Sequence, residues 1–224
     1  FDSRQLRFLL EHVLGCGHSA YSKRIPKAIL HAPSETVWEF LRGYYIGDGN
    51  FRVRPSGCCI SASSKNPDLI RDISVLLSRF GIIPSLEFNK SSKMHMAHVN
   101  SISDIKEMLK CLNIEKWSDK FSTKIFYNAR AGINSRIPIN ALTISTQSRI
   151  GKTSYQRAST IGSNILKSLV TLQKLEEKLA SSCFAFAKIL SIEEIQSTSP
   201  YVYDLCIEGY ENFLTGQGFL FVHN

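Results

Sequence analysis

The chain has 224 residues, with 27 Lys and Arg against 19 Asp and Glu, and 43% of its residues are hydrophobic. This composition allows one domain or two small ones, and it excludes a disordered chain because charged residues make up only 21%. No apolar run approaches the ~18–20 residues of a membrane span, and no secretory signal opens the sequence. The six cysteines lack zinc-site spacing, which indicates core thiols of a reducing, cytoplasmic protein.

The first half of the sequence alternates predicted helices with pairs of predicted strands. Ser34 is the predicted cap of the second helix, while Asn66 and Pro67 begin the third and Gly81 ends it. The predicted helices cover 4–14, 34–48, 67–80 and 104–112, and the predicted strands cover 51–54, 58–63, 84–89 and 94–99. The order helix–strand–strand–helix–strand–strand–helix predicts an α+β domain over 1–119.

The second half of the sequence has a different pattern. Residues 120–160 are rich in Ser, Thr, Asn and Arg and show weak periodicity, and a helix is predicted from Thr160 to about Ala180. From Phe184 onward, stretches at 185–195, 201–207 and 219–222 predict strands. The sequence therefore predicts a basic segment over 120–180 and a separate all-β piece over 181–224.

Charge is segregated along the chain. Residues 120–175 contain basic side chains and no acidic one, whereas 181–224 are acidic overall. Such a stretch fits contact with a polyanion, and a solvated basic surface without a partner is the alternative. The bases are Lys120, Lys124, Arg130, Arg136, Arg149, Lys152, Arg157, Lys167 and Lys174.

The predicted helix over 34–48 ends in the nonapeptide LRGYYIGDG (41–49). Gly43 and Gly47 lie four residues apart on one helical face, at a cost of about 1 kcal/mol each relative to Ala. This spacing favours close approach of a second backbone. Asp48 stands at the helix C-terminus, where the macrodipole disfavours an anion and a bound cation would relieve the conflict. The alternative is an ordinary buried helix with Asp48 exposed to solvent.

The nonapeptide resembles the second signature helix of LAGLIDADG (dodecapeptide) homing endonucleases. Upstream, KRIP (23–26) resembles the K-x-x-P block of that family, and downstream LLSRFGI (76–82) resembles its L-L-x-x-x-G-I segment. Ile46 replaces the first Asp of the motif, at a position that varies in the family. The resemblance covers roughly residues 20–115 and implies half of a saddle-shaped αββαββα binder of double-stranded DNA.

The resemblance also implies a chemistry. Two signature helices pack through their glycines, and each contributes one carboxylate where Mg²⁺ assembles on a DNA phosphate. This assigns Asp48 and the adjacent Gly47 to the metal site and Lys23 to a catalytic role, with Lys90 and Lys93 as further candidates. The residues assigned to DNA contact are Arg52, Arg54, Lys120, Lys124, Arg130, Arg136, Arg149, Lys152 and Arg157.

The end of the sequence resembles two conserved blocks of inteins. VYDLCI (202–207) with ENFL (211–214) is similar to the penultimate block, and FLFVHN (219–224) is similar to the terminal block with its His-Asn ending. The resemblance implies the C-terminal part of the horseshoe-like all-β Hint splicing fold. Splicing of this kind requires no cofactor.

The resemblance to inteins implies that Asn224 is catalytic, because its side-chain amide attacks its own main-chain carbonyl and breaks the bond to the following residue. His223 would polarise that carbonyl or protonate the leaving amine. Asp204 would assist the earlier steps. Glu211 stands where many inteins carry His and is a further catalytic candidate.

Inteins begin with Cys or Ser and carry a Thr-x-x-His block, and this sequence shows neither at the expected place. It is thus expected to be the C-terminal fragment of an intein, from a natural split, an engineered split or cleavage after synthesis. Its expected partners are an N-terminal intein fragment, double-stranded DNA and the host extein protein, without a membrane. The alternative function is a DNA-binding module with degenerate endonuclease activity.

Overall fold

The computed structural model describes residues 3–54, 57–122, 136–138, 160–162, 191–196, 198–201, 205, 208–209, 212–215 and 220–223. The chain divides into two units, Phe1–Phe186 and Ala187–Asn224. Within these described ranges, no helix is long and apolar enough to cross a membrane.

The helices of the first unit follow the predicted order but not every predicted boundary. A π-helical turn, Leu9–Val13, continues the first helix. Two short helices, at Lys27–Leu30 and Glu115–Ser122, come in addition to the predicted ones. The helices are α1 (Arg4–Phe8), α2 (Lys27–Leu30), α3 (Ser34–Gly47), α4 (Pro67–Ser78), α5 (Ile102–Leu112) and α6 (Glu115–Ser122).

One antiparallel sheet organises the first unit. Its strands are β1 (Asn50–Arg54), β2 (Gly57–Ser64), β3 (Ser85–Asn89) and β4 (Met94–Val99), in the order β1-β2-β4-β3. The registers pair Arg52 with Cys59, Ser61 with His98 and Glu87 with Met96. The sequence α3-β1-β2-α4-β3-β4-α5 confirms the predicted mixed α+β unit.

Helices α3, α4 and α5 share one hydrophobic core with the sheet. The core side of β1 and β2 contributes Phe51 and Ile60, both buried. Fully burying a Leu or Ile side chain stabilises a fold by about 1.5–3 kcal/mol, so this layer fixes the register of the strands. The largest fully buried helix side chains are Leu41, Tyr45, Ile73, Leu76, Leu77, Ile105, Met108 and Leu112.

The ends of two helices test the capping predictions. Asn66 caps α4 as predicted, because its side chain accepts a hydrogen bond from the Asp68 amide. The prediction for Ser34 was wrong: Ser34 is the first residue of α3, and Pro33 occupies the cap without a side-chain hydrogen bond. The carbonyl of Pro33 already accepts the Val37 amide, so the helix begins one residue earlier than the cap rule expects.

The second half of the chain departs from its predicted pattern in two places. Thr160–Gly162 is a strand, β6, paired with β5 (Arg136–Pro138), so a helix does not begin at Thr160. Of the strand predicted at 185–195, residues 191–195 form no regular element, and 185–190 lie outside the described residues. In the second unit β8 (Leu220–His223) agrees with the strand predicted at 219–222, and it pairs antiparallel with β7 (Asn212–Thr215), a strand that was not predicted.

Candidate active site

The carboxylate of Asp48 lies at the C-terminal end of α3 beside the ammonium group of Lys23. Asp48 is the C-cap, and its amide donates to the carbonyl of Tyr44 at 2.8 Å. Lys23 Nζ lies 3.6 Å from Asp48 Oδ2, and the two side chains are 53% and 59% exposed. An exposed pair at this distance contributes little to stability. Both groups remain accessible to a ligand.

Backbone contacts fix the main chain around Lys23. Its amide donates to the carbonyl of Ser19 at 3.0 Å, and its carbonyl accepts a hydrogen bond from Asn66 Nδ2 at 2.7 Å. The amide of the next residue, Arg24, donates to the carbonyl of Cys16 at 2.9 Å. The Lys23 side chain therefore extends from an ordered backbone although its ammonium group is exposed.

Arg24 joins the same segment to α4. Its Nε and Nη2 atoms donate to Asp72 Oδ2 and Oδ1 at 2.8 and 3.1 Å, and Nη1 lies 3.3 Å from Asp68 Oδ2. The hydrogen bond to Asp72 raises the pKa of Arg24. Forked pairing of this kind restrains both partners in orientation as well as in distance.

Tyr44 lies one helical turn before Asp48. Burial, followed by the negative charge of Asp48, raises the pKa of Tyr44 to about 12. Its hydroxyl oxygen is buried and faces the backbone amide of Ser63, without completing a hydrogen bond within the described residues. The carboxylate of Asp48 therefore lies close to the buried side chain of Tyr44.

A cavity of about 470 Å³ adjoins the pair. Leu6 and Leu10 line it from the N-terminal helical segment, Phe40 lines it from α3, and Lys23 and Asp48 also line it. No residue of α1 is buried, so this segment covers the cavity only loosely.

The two glycines of α3 face open space. A Cβ atom added at Gly43 or Gly47 would meet no atom within 4 Å among the described residues. By contrast, a Cβ at Gly49 would collide with Tyr45. Among the residues that the structure describes, none occupies the space beside Gly43 and Gly47, which leaves room for another element of the kind that the sequence predicted.

The sheet presents a polar row on the side opposite the core. Arg52 and Arg54 are exposed on β1. Cys59 Sγ lies 3.6 Å from His98 Nδ1, and His98 Nε2 lies 3.4 Å from Glu87 Oε2. Burial raises the pKa of the Cys59 thiol, and Arg52 opposes that rise. The contact between Cys59 and His98 was not predicted from the sequence. Strand alternation indicates that both residues lie on the same face of the sheet, but it does not indicate that they meet.

The remaining predicted residues lie apart from the pair or outside the described residues. Lys90 and Lys93 lie in the turn between β3 and β4 and do not line the cavity beside Asp48. Lys120 Nζ donates to the carbonyl of Phe51 at 2.7 Å. Arg136 belongs to β5. Outside the described residues lie Lys124, Arg130, Arg149, Lys152 and Arg157.

The predicted splicing residues are described only in part. His223 is the last residue of β8, and its backbone is paired with Asn212 of β7. Asn224, Asp204 and Glu211 lie outside the described residues. The β hairpin thus brings the backbone that precedes the C-terminal residue next to the ENFL segment.

The residues at the pair do not by themselves make a magnesium site. Mg²⁺ prefers an octahedral set of oxygen ligands that waters and substrate phosphates help to complete, and one carboxylate beside an ammonium group supplies a single protein ligand. Within the described part of the chain, no group of three His, Cys, Asp or Glu side chains could hold a metal ion. Asp48 can contribute one ligand to a site that other groups complete.

Comparison with known proteins identifies part of the chain. Residues 35–116 match the family described as the LAGLIDADG-like domain. This span includes α3 from its second residue onward, the four-stranded sheet, α4 and α5. Residues 35–116 are therefore similar to a LAGLIDADG-like domain, in agreement with the resemblance of the signature motifs.

Curated relatives are longer proteins that contain a similar segment. A DNA polymerase of Thermococcus hydrothermalis is 29% identical over 216 residues, covering 93% of this chain and 11% of the relative. The DNA-directed RNA polymerase subunit Rpo1C of Methanocaldococcus jannaschii is 27% identical over 241 residues, covering 96% and 28%. The DNA polymerase II large subunit of Thermococcus kodakarensis is 42% identical over 81 residues, covering 36% and 4%.

Proposed function

We propose that this chain, whose residues 35–116 match a LAGLIDADG-like domain, is the C-terminal portion of an intein that carries half of a homing endonuclease. The observation that carries the endonuclease proposal is the Lys23–Asp48 pair, 3.6 Å apart, at the end of a helix with an open two-glycine face. In this proposal residues 1–119 act on double-stranded DNA, 120–180 add DNA contacts, and 181–224 belong to a Hint splicing domain.

The geometry supports a half-site rather than a complete one. Gly43 and Gly47 would allow a second signature helix to approach α3 closely, since neither residue has a side chain and a Cβ atom added at either would meet no described atom within 4 Å. That helix would supply a second carboxylate beside Asp48. Divalent metal binding is then a property of the assembled pair, because Asp48 alone provides too few ligands.

The residues of this chain have separate roles in DNA cleavage. Lys23, held beside Asp48, places a positive charge where the anionic phosphate of the backbone would develop further charge. Arg52 and Arg54 are exposed on β1 and would contact phosphates along the sheet. Lys90 and Lys93 are exposed in a turn and are proposed only as phosphate contacts.

The relatives support the intein proposal because they are named as proteins of different kinds. Similar segments occur in a DNA polymerase and in an RNA polymerase subunit, two proteins of different function. In each, the similarity covers nearly all of this chain but a minor part of the relative. A segment shared in this manner behaves as a unit inserted into different hosts, as an intein does.

DNA cleavage tests the endonuclease proposal. The chain is assembled with a candidate N-terminal half and incubated with double-stranded target DNA and Mg²⁺. We expect nicking or double-strand cleavage by the assembly, and loss of cleavage with retained DNA binding in Asp48→Asn. Lys106→Ala, an exposed substitution on α5, is the control and should cut normally. An assembly that binds its target but never nicks it would favour the DNA-binding module instead.

Splicing is a second proposed activity, favoured by the β hairpin that ends at His223. The Asn224 side-chain nitrogen would attack the Asn224 main-chain carbonyl carbon and form a succinimide. The peptide bond to the following residue would break, and its nitrogen would leave as a free amine after accepting a proton from His223. Asp204 would assist the preceding acyl transfer, with Glu211 as a further candidate. No cofactor enters these steps.

Intact-protein mass spectrometry tests splicing. The chain is extended beyond Asn224 by a Cys-led reporter and mixed with the candidate N-terminal half. A ligated product would establish splicing, and release of the reporter without ligation would establish only the cyclisation of Asn224. Asn224→Ala should abolish release. Persistent release from Asn224→Ala would overturn the assignment.

A further inference from the structure

We infer that Asp72 is a positioning residue that holds Lys23 beside Asp48 through the backbone of the Lys23–Ile25 segment. The inference rests on the proposed endonuclease function and names a residue of the same site. Asp72 lies in the middle of α4 and has no contact with Asp48 among those described. Any effect it has on the reaction would therefore pass through the segment that carries Lys23.

Hydrogen bonds attach the side chain of Asp72 to the residues that follow Lys23. Its side chain is 9% exposed and accepts three hydrogen bonds from the two residues that follow Lys23. Two come from the guanidinium of Arg24, at 2.8 and 3.1 Å, and the third comes from the backbone amide of Ile25 at 3.3 Å. A buried carboxylate with several donors is held firmly, because losing any donor would leave a desolvated charge.

Asn66 anchors the segment from the other side. Asn66 is 7% exposed, and its Nδ2 donates to the carbonyl of Lys23 at 2.7 Å. Its Oδ1 simultaneously caps α4 by accepting the Asp68 amide at 3.1 Å. The backbone from Lys23 to Ile25 is thus attached at both ends to the N-terminal half of one helix.

The Lys23 side chain itself lacks such restraint. It is about half exposed, and its charged contact among the described residues is Asp48. The position of its ammonium group is therefore determined mainly by where the backbone places its Cα atom. Removing the Asp72 anchor should widen the range of Lys23 positions without removing a group that touches DNA.

Asp68 provides a matched control on the same helix. Its carboxylate also pairs with Arg24, at 3.3 Å, and with Arg71 at 2.8 Å. It is more exposed than Asp72, and none of its described side-chain contacts is with a backbone atom of the Lys23 segment. Asp68→Asn removes a charge near Arg24 and leaves the backbone anchor intact.

A zero-length cross-link between Lys23 and Asp48 reports how close the two side chains lie, and it can be measured on this chain without an N-terminal partner. A water-soluble carbodiimide converts the Asp48 carboxylate into an O-acylisourea, the Lys23 amine attacks it, and an amide forms as the urea leaves. Peptide mass spectrometry quantifies the Lys23–Asp48 cross-link. We expect it in the wild type and in Asp68→Asn, and a reduction of about fivefold or more in Asp72→Asn, since the reaction requires near-contact geometry. An undiminished cross-link in Asp72→Asn would overturn the inference.

Arg24→Gln is the second variant in case Asp72→Asn fails to fold, as judged by thermal unfolding. It removes the guanidinium half of the same contact while leaving the carboxylate for Ile25. We expect its cross-link yield to fall as well. A folded Arg24→Gln with wild-type yield would also count against the inference.

A double-mutant cycle tests the consequence for catalysis in the assembled endonuclease. Asp72→Asn should lower the single-turnover cleavage rate by about tenfold at unchanged DNA affinity, a cost expected when a catalytic group is misplaced by a fraction of an ångström. In a Lys23→Ala background the same substitution should have no further effect, because Asp72 acts through Lys23. Equal effects in both backgrounds would show a merely structural role.

The two measurements separate the inference from the proposed function. If no assembly cleaves DNA, the wild type included, the endonuclease proposal fails and the cross-link still decides whether Asp72 positions Lys23. If the wild type cleaves and the Asp72→Asn cross-link and rate are unchanged, the endonuclease proposal stands and the positioning role is wrong.

Discussion

Lys23 and Asp48 meet at the C-terminal end of α3, with Nζ and Oδ2 3.6 Å apart and more than half of each side chain exposed. The two residues come from separate sequence motifs, Lys23 from the loop before α2 and Asp48 from the end of α3. Neither is buried in the core, so their proximity is of small consequence for folding. It places opposite charges at the edge of the cavity below α1.

The first prediction concerns the stability effect of Asp48. Asp48→Asn removes an exposed ion pair worth roughly 0.2–1 kcal/mol and also removes an anion disfavoured by the helix dipole by a similar amount. We expect the free energy of unfolding, measured by urea denaturation, to change by less than about 0.5 kcal/mol because these effects oppose each other. A larger loss would show that Asp48 has a structural role.

The second prediction concerns the ionisation of Tyr44. Its pKa is raised from 10.0 to about 12 by burial first and by the charge of Asp48 second. We expect Asp48→Asn to lower that pKa, measured as the tyrosinate absorbance that disappears in Tyr44→Phe. Tyr21→Phe, which removes an exposed tyrosine, is the control and should leave the high-pH transition in place.

The raised pKa of Tyr44 also predicts the direction in which the free energy of unfolding changes with pH. Because the hydroxyl is harder to ionise in the folded state, the unfolded chain releases this proton at lower pH, and stability falls as pH rises between 10.0 and about 12. Tyr44→Phe should lose less stability than the wild type over that window. Identical pH profiles for the two proteins would contradict the assignment.

The third prediction concerns the glycine face of α3. Gly43→Ala should stabilise this chain by up to about 1 kcal/mol, since Ala favours a helix and open space surrounds the added methyl group. The same substitution should weaken assembly with the N-terminal half, because the methyl group would separate the two backbones. Unfolding and binding are measured on the same variant.

Gly49→Ala is the matched control for that pair of measurements. Its Cβ would meet Tyr45 at 2.5 Å, so it should destabilise the isolated chain. Stabilisation by Gly43→Ala without weaker assembly would mean that the open face is not a helix contact.

The fourth prediction concerns DNA affinity. Removing both exposed cations of β1 with Arg52→Ala and Arg54→Ala should reduce affinity and lessen the slope of log K against log salt by about 0.9 for each lost phosphate contact. Filter binding or fluorescence anisotropy at several salt concentrations measures both quantities. Lys106→Ala is the control, since α5 packs on the core side of the sheet. Unchanged slopes in the double variant would place DNA elsewhere.

The fifth prediction concerns Asn66. Asn66→Ala removes both a helix cap and the hydrogen bond to the Lys23 carbonyl, so it should lower the free energy of unfolding by about 1–2 kcal/mol. Ser101→Ala removes the cap of α5 and a hydrogen bond to the Ser103 hydroxyl, neither of which involves the Lys23 segment. The two variants should differ in the Lys23–Asp48 cross-link, which falls in Asn66→Ala and is retained in Ser101→Ala. Equal cross-linking in Asn66→Ala and Ser101→Ala would show that Asn66 does not help to position Lys23.

Some local features were predictable because nearby residues control them. Asn66 and Pro67 mark the start of α4 because a side-chain acceptor and a fixed φ angle suit the first turn. Gly81 follows its end with a φ of +73°, a conformation that favours glycine. The failure at Ser34 has a local cause as well, since Pro33 already occupies the cap.

Other features were beyond sequence reasoning because they join distant segments. α6 has little apolar character of its own, and its Trp117 packs between Tyr45 and Phe51 from other elements. The pairing of Cys59 with His98 depends on the order in which β2 and β4 meet in the sheet. No spacing along the chain encodes either contact.

The sequence by itself determined the αββαββα order and the motif that ends at Asp48, because helix caps, strand alternation and glycine spacing act over a few residues. Only the tertiary structure decided that Asp72 would bind Arg24 and the Ile25 amide, and that Lys23 would thereby face Asp48. Those contacts depend on how α4 packs against the preceding segment. Packing is decided by the shared hydrophobic core, to which every element contributes at once.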